Sequence, residues 1–373
     1  MNILFVRRGS ITIVDGISTY ILELSAALKR MGHQVYILCA RCRLTNSMRS
    51  YIRENFLVDD IVEVLDWGDK VSYIPSPRKQ LMLKKLCREL NVDIVHFNGL
   101  IPCFVNIGAV KVMTYHGLPI LISRTKLNYI KHVLGYKLLQ HMVHFDTVIA
   151  VSKKLKEELK QYTPKLAEKA VVIPPGINIT KIRRSIRNSE ERENIILHVG
   201  TRPEKNVKTS MLAFAYAYKK HGLTKVKLVV VGKITNDLTR ILNKLPEHIR
   251  KKIMLKGALP RKMLLRLIAR SKILLVPSLY EAFSILSLEA LALGTPIIAS
   301  TVIPEEVVVD GVTGFKIDNP LDYKAFAKIV TQLLQDEDLW VKLHRNAIMY
   351  AERFESKRIA HLILKAYKRT GYV

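Results

Sequence analysis

Residues 276–300 read VPSLYEAFSILSLEALALGTPIIAS. An apolar run closes at Val276, Pro277-Ser278 breaks it, and an apolar-rich helical pattern resumes near Ser284. A further apolar run, 296–299, follows that helix, so the order is strand, loop, helix, strand, the rhythm of an α/β unit. Two carboxylates stand in it, Glu281 before the helix and Glu289 inside it. A helix beginning at Phe283 or Ser284 rises about 1.5 Å per residue, which puts Glu289 roughly 8 Å further along. The free amides of the first turn then lie between the two acids, where a phosphate is favoured. One acid can hold a sugar on one side of a diphosphate and the other a ribose on the far side. On spacing alone, two such acids are more often solvated surface. Here every position from Ile285 to Leu293 except Ser287 and Glu289 is hydrophobic, and an acid in such a run is normally paired or bound.

Glu281-x7-Glu289, the following Ala292-Leu293-Gly294-Thr295-Pro296 and the later Asp310-Gly311-Val312-Thr313-Gly314 resemble the retaining nucleotide-sugar glycosyltransferases of family four. The resemblance implies an α/β chain of the GT-B type: two Rossmann-like domains facing across a cleft, with a C-terminal helix crossing back to the first. The family usually has Glu-Gly-Phe-Gly where this chain has Glu281-Ala282-Phe283-Ser284.

Length and composition fit that reading. A chain of 373 residues with 49% hydrophobic content suits two domains with a core each. No apolar run reaches the eighteen or so residues of a membrane span, and residues 1–6 followed by Arg7-Arg8 read as a buried strand rather than a signal peptide. Four cysteines without a regular framework suggest a reducing, cytoplasmic setting. Cys39 and Cys42 read as structural thiols, and no metal site is expected. The formal charge of +28 would attract nucleic acid, anionic lipid or phosphorylated substrates. Residues 201–280 hold about nineteen Lys/Arg against about three acids, but neither an aromatic RNA-binding signature nor a zinc finger accompanies them. An anion-binding enzyme acting near a membrane is the better reading, and no nucleic-acid partner is expected.

Along the chain, strands are expected at 2–6, 34–39, 60–64, 93–97, 111–114, 147–150 and 171–173, with helices at 17–31, 77–90 and 153–162. There is no GxGxxG fingerprint. Gly16 at the first helix entrance permits close backbone approach or is a turn glycine; the family often has a glycine pair here facing the phosphates or the acceptor. His116 follows the strand 111–114. A lone loop histidine is usually structural, but this one stands at the carboxyl end of a parallel strand, where open sheets place ligands. The resemblance places it near the donor sugar, as a neutral hydrogen-bonding imidazole. Residues 124–144 form an amphipathic, basic segment, read first as a core-packed helix and, more sharply, as a dock for an anionic membrane surface.

The polar run 180–192 reads as the interdomain linker, so the expected division is 1–178 with 355–373, a linker at 179–192, and 193–354. The second strand series is expected at 194–199, 227–231, 253–255, 273–276, 296–299 and 315–317, and helices at 207–219, 321–335, 339–354 and 356–370. Arg202 and Lys205 follow Gly200 at a strand's carboxyl end. They would normally be surface charges, yet there they can clamp a diphosphate, Arg as a fork of donors and Lys as a point charge. Family members carry an Arg and a Lys after this glycine. The loop after 253–255 holds the nucleobase in the family, which points to Ala258 and Leu259.

The resemblance therefore implies a metal-independent hexosyltransferase acting with retention on a UDP- or GDP-linked sugar, with no cofactor. Arg202, Lys205 and the Phe283–Ser284–Ile285 entrance would stabilise the departing diphosphate, Glu281 the sugar and Glu289 the ribose. The acceptor would be a hydroxyl of a glycan or lipid-linked molecule, reached at the cytoplasmic face of a membrane. The competing class is a non-catalytic nucleic-acid or anionic-surface binding protein on a degenerate version of the fold; an epimerase on the same architecture would need no acceptor.

Overall fold

The computed structural model describes residues 1–11, 15–40, 45–56, 63–66, 76–117, 143–186 and 191–369. The chain divides into two compact units, Met1–Asn178 with Phe354–Val373, and Ile179–Arg353.

In the first unit seven strands form one sheet. They are β1 (Asn2–Arg7), β2 (Gln34–Cys39), β3 (Glu63–Asp66), β4 (Ile94–Asn98), β5 (Val110–Tyr115), β6 (Thr147–Ala150) and β7 (Ala170–Val172). Their order is β3-β2-β1-β4-β5-β6-β7, and every pair is parallel. Parallel strands need crossovers on both faces, so the central strands are apolar throughout: β4 is buried at all five positions. Helix Gly16–Arg30 makes the first crossover and is capped by Asp15, whose side chain accepts from Ser18 N. The order reverses between β1 and β4, the place where open sheets leave a crevice for ligands. Helix Ser356–Lys368 belongs to this unit, entered through a bridge between Ile177 and Glu355.

The second unit has β8 (Glu193–Val199), β9 (Lys227–Val231), β10 (Ile253–Lys256), β11 (Ser271–Val276), β12 (Ile297–Ser300) and β13 (Gly314–Ile317). The order is β10-β9-β8-β11-β12-β13, again parallel. Its reversal lies between β8 and β11, so the loops beginning at Gly200 and Pro277 flank the switch point. The Asp310–Gly314 run has a packing reason: β12 and β13 approach so closely that a Cβ on Gly314 would lie 1.9 Å from Ile297 O.

Two expectations are corrected. The linker reading of 179–192 fails at its start: Ile179–Arg184 is a helix of the second unit with Ile179 and Ile182 each 1% exposed, because two well-spaced isoleucines suffice to anchor a short polar helix. Residues 187–190 of that run lie outside the described residues. Of the strand expected at 60–64, residues 63 and 64 open β3, Glu63–Asp66, paired from Tyr36↔Glu63, and residues 60–62 lie outside the described residues. Cys39 is disulfide-bonded rather than a free thiol; Cys42 lies outside the described residues, and Cys87 and Cys103 are free and buried. The amphipathic segment 124–144 also falls outside them, apart from 143 and 144. Among the described residues no helix is long and apolar enough to cross a membrane.

Candidate active site

In the second unit the site is assembled by two loops at the carboxyl ends of β8 and β11. Gly200 adopts φ +99°, and a Cβ there would lie 2.9 Å from Lys205 Cγ. Glycine thus permits the turn and lets the Lys205 stem fold back across it. Beneath the turn, buried His198 in β8 has Nε2 2.8 Å from Gly200 O and Nδ1 2.7 Å from Ser210 Oγ. A carbonyl only accepts, so Nε2 carries the proton and Nδ1 accepts from the serine. Burial pushes this histidine down to about 4, and it stays neutral as a strut for the loop.

Asn206, at φ +53°, ties the two loops together. Its Nδ2 donates to Pro277 O at 3.0 Å and to Pro320 O at 2.7 Å, while Leu279 N donates to Glu204 O at 2.8 Å. The result is an ion pair between Lys205 Nζ and Glu281 Oε2, with side chains only 18% and 15% exposed. The structure therefore joins two of the expected site residues directly. Arg202 is not brought to them: its Nε lies 2.8 Å from Glu204 Oε1 and its side chain is 71% exposed.

The loop then enters helix Ile285–Ala292. Phe283 is buried, and Ser284 takes φ +80°, ψ +77° at the N-cap with no side-chain cap bond. Its Oγ instead lies 2.8 Å from Ser287 Oγ. The serine thus occupies a glycine-type backbone conformation where the related family has glycine. Half-buried Ile285 opens the helix; Ser287 N donates back to Ser284 O at 3.1 Å, while the amides of Ile285 and Leu286 have no carbonyl one turn back to accept them. Ala258, exposed, and Leu259, half-buried, sit in the loop after β10 on the same carboxyl edge of the sheet. Glu289, one turn into the helix, is buried against Arg261, with Nη2–Oε1 at 2.5 Å.

In the first unit Gly16 is the first residue of its helix, exposed, and a Cβ there would meet nothing within 4 Å. The chain's own packing therefore does not demand glycine at this position. Beside it Asp15 Oδ2 pairs with Arg7 Nη2 at 2.6 Å, and buried Arg7 also donates to Ser18 Oγ. His116 follows β5 with Nε2 3.1 Å from Asn98 Oδ1 and its ring edge-on to Tyr20 at 4.9 Å. Burial, then Arg7, pushes it down to about 3, with Asp15 opposing. Such an imidazole is neutral, donates through Nε2 and keeps Nδ1 as an acceptor; its conjugate acid is too strong for general-base work near pH 7.

Sequence reading missed Arg261, His198, the Asn206 stitch and Arg7. Of these only Arg7 had a local signal, as a charge closing an apolar strand. The others become visible only when loops distant in sequence meet.

Known proteins resemble both units of the chain. The model described as Glycosyltransferase Family 4 matches residues 14–181, and that described as Glycosyl transferases group 1 matches 179–354. An uncharacterized glycosyltransferase of Methanocaldococcus jannaschii, MJ1607, is 32% identical over 170 residues, 42% of this chain and 42% of that protein. The glycogen synthase of Mycobacterium tuberculosis is 25% identical over 355 residues, 87% of this chain and 83% of that one. Among solved structures, Anabaena HepE in complex with UDP-glucose has a TM-score of 0.72 at 17% identity, covering 99% of this chain and 100% of that one. With the two matched models running in tandem through both parallel sheets, the chain belongs to the GT-B glycosyltransferases, family four in its first unit and group 1 in its second.

Proposed function

We propose that the chain moves a hexosyl group from a nucleoside-diphosphate sugar to a hydroxyl acceptor, with retention and without a metal. The observation that carries this reading is the Lys205–Glu281 pair at the switch point between β8 and β11. An ammonium and a carboxylate paired with each other can exchange partners when a donor arrives. Lys205 turns to the diphosphate and Glu281 to the sugar hydroxyls. As the anomeric C–O bond breaks, negative charge grows on the departing diphosphate. Lys205 and the amides at the Ser284–Ile285 entrance stabilise it, and fixed donors of this kind supply the largest share of such catalysis. Arg202 joins them by exchanging Glu204 for phosphate.

Glu289 takes the ribose, and Ala258 and Leu259 the base. UDP is the first donor nucleotide to test, since it accompanies the Anabaena protein; GDP is the second. With His116 a poor base, attack from the face that the diphosphate leaves is the fitting route, and the departing phosphate takes the acceptor proton. His116 contributes hydrogen bonds, and Gly16 leaves room for a ligand at its helix entrance. The acceptor is a glycan or lipid-linked hydroxyl, met at the cytoplasmic face of a membrane that the basic protein touches peripherally.

Purified protein incubated with UDP- and GDP-hexoses should release the nucleoside diphosphate and yield an α-linked product from an α-linked donor. Glu281→Gln and Lys205→Met should each lower turnover at least about a hundredfold, the scale of losing one electrostatic contact to the reacting group. Salt-sensitive DNA or RNA binding without release from any donor would establish the binding-protein reading instead.

A further inference from the structure

Helix Arg261–Arg270 begins with a residue that does not face solvent. The Arg261 side chain is 5% exposed and the Glu289 side chain it meets is 7% exposed. Water cannot stabilise a carboxylate at that depth, so its charge depends on what replaces water. Burial pushes the Glu289 carboxyl above the usual range and Arg261 pulls it back.

The other basic side chains near this helix are engaged elsewhere; Arg192, for one, donates to Thr295 Oγ1 at 2.7 Å and to Leu293 O. Arg183, from helix Ile179–Arg184, donates to Ala292 O and Ile348 O and pairs with Glu352. His344, from helix Glu337–Ala351, lies with Nδ1 2.6 Å from Gly294 O. Strand β12, Ile297–Ser300, carries no charged residue. Among the described residues, Arg261 is the charge acting on Glu289.

We infer that Arg261 is a positioning residue of the donor site: it grips one oxygen of Glu289 and aims the other at the two ribose hydroxyls of the nucleotide. This rests on reading 276–300 as a nucleotide-sugar site. A carboxylate accepts from both hydroxyls, whereas a protonated carboxyl gives up one acceptor lone pair to its own proton. Without Arg261 the burial that raises the Glu289 carboxyl acts unopposed, so nucleotide affinity gains a pH dependence, which loss of a purely structural ion pair would not give.

The test is calorimetric titration of UDP and of GDP from about pH 5 to 8 into wild type, Arg261→Met, Arg261→Lys, Glu289→Gln and the double variant Arg261→Met/Glu289→Gln. Wild type should bind one nucleotide with a flat profile above mildly acidic pH. Arg261→Met should bind about tenfold more weakly at neutral pH, the worth of one hydrogen bond to a charged group, and recover as pH rises and Glu289 loses its proton. Glu289→Gln should show a similar loss with no pH dependence, and the double variant should be no weaker than Glu289→Gln alone. Arg261→Lys should restore the flat profile. Should Arg261→Met fail to fold around an unpaired acid, the double variant against Glu289→Gln carries the comparison, because both buried charges are then gone. Wild-type affinity and profile in Arg261→Met, or a double variant about tenfold weaker than Glu289→Gln, would overturn the inference. Wild type that binds neither nucleotide would instead overturn the site reading beneath it.

Discussion

Ser284 shows how a single residue can record the demands of a site. Its φ of +80° is one of three positive values among the described non-glycine residues, with Asn91 and Asn206. Asparagine tolerates that region through local hydrogen bonding, whereas a serine there costs on the order of 1–3 kcal/mol. The strain lies where the chain must turn from Glu281 into the helix that carries Glu289. Replacing Ser284 by alanine or glycine removes the same hydroxyl contact to Ser287, so the difference between the two variants isolates the backbone. Ser284→Gly should be more stable than Ser284→Ala by about 1 kcal/mol, even after the entropy glycine adds to the unfolded chain. Urea unfolding measures it, and equal midpoints would show that the turn carries no strain.

At the scale of elements, the strands were legible because parallel sheets bury both faces and leave short apolar runs. Three of them, 34–39, 147–150 and 227–231, match β2, β6 and β9 to the residue. The helix expected at 153–162 is matched by Lys153–Tyr162, whose N-cap Ser152 accepts from Leu155 N. Helix Arg261–Arg270 was not read, and with it the partner of Glu289, because an arginine opening a basic helix looks like surface until the fold buries it. Nor do strand histidines announce their state. His96 in β4 has no exposed surface; its ring nitrogens lie 2.7 Å from Tyr367 OH and 2.5 Å from Thr114 Oγ1. Burial, then His116, pushes it down to about 3, as burial pushes His198 to about 4. Both are held neutral in the folded chain and take a proton near pH 6.5 only on unfolding. The unfolded state therefore binds more protons below that pH, and stability is full above it and falls as pH drops toward 4. Each contributes up to about 1.4 kcal/mol per pH unit, or roughly 2 kcal/mol each between pH 6.5 and 5. Denaturant unfolding at those two pH values should show the decline, and His198→Gln should have a visibly shallower slope whatever its absolute stability. A slope unchanged by that substitution would mean that His198 is already protonated in the native state.

On the scale of the whole molecule, a formal charge of +28 is far larger than one diphosphate needs, and part of it lies away from the donor residues. Lys219, Lys220, Lys225 and Lys227 are all exposed, at the end of helix Val207–His221 and the start of β9. That is the amino end of the strands, whereas Lys205 and Glu281 follow the carboxyl ends of β8 and β11. Charge on this edge is therefore available to an anionic surface without touching the donor residues. Each lysine near such a surface contributes about 1 kcal/mol, and the attraction fades within a Debye length of about 8 Å at physiological salt. Vesicles containing anionic lipid should accordingly co-sediment the protein at low salt and release it as salt rises. Reversing the four lysines to glutamate should abolish that association while leaving the affinity for UDP or GDP within about twofold, because they lie beyond the range at which screened charges act. Loss of nucleotide affinity in step with loss of vesicle binding would mean that one basic field serves both, and that the charge belongs to the donor site after all.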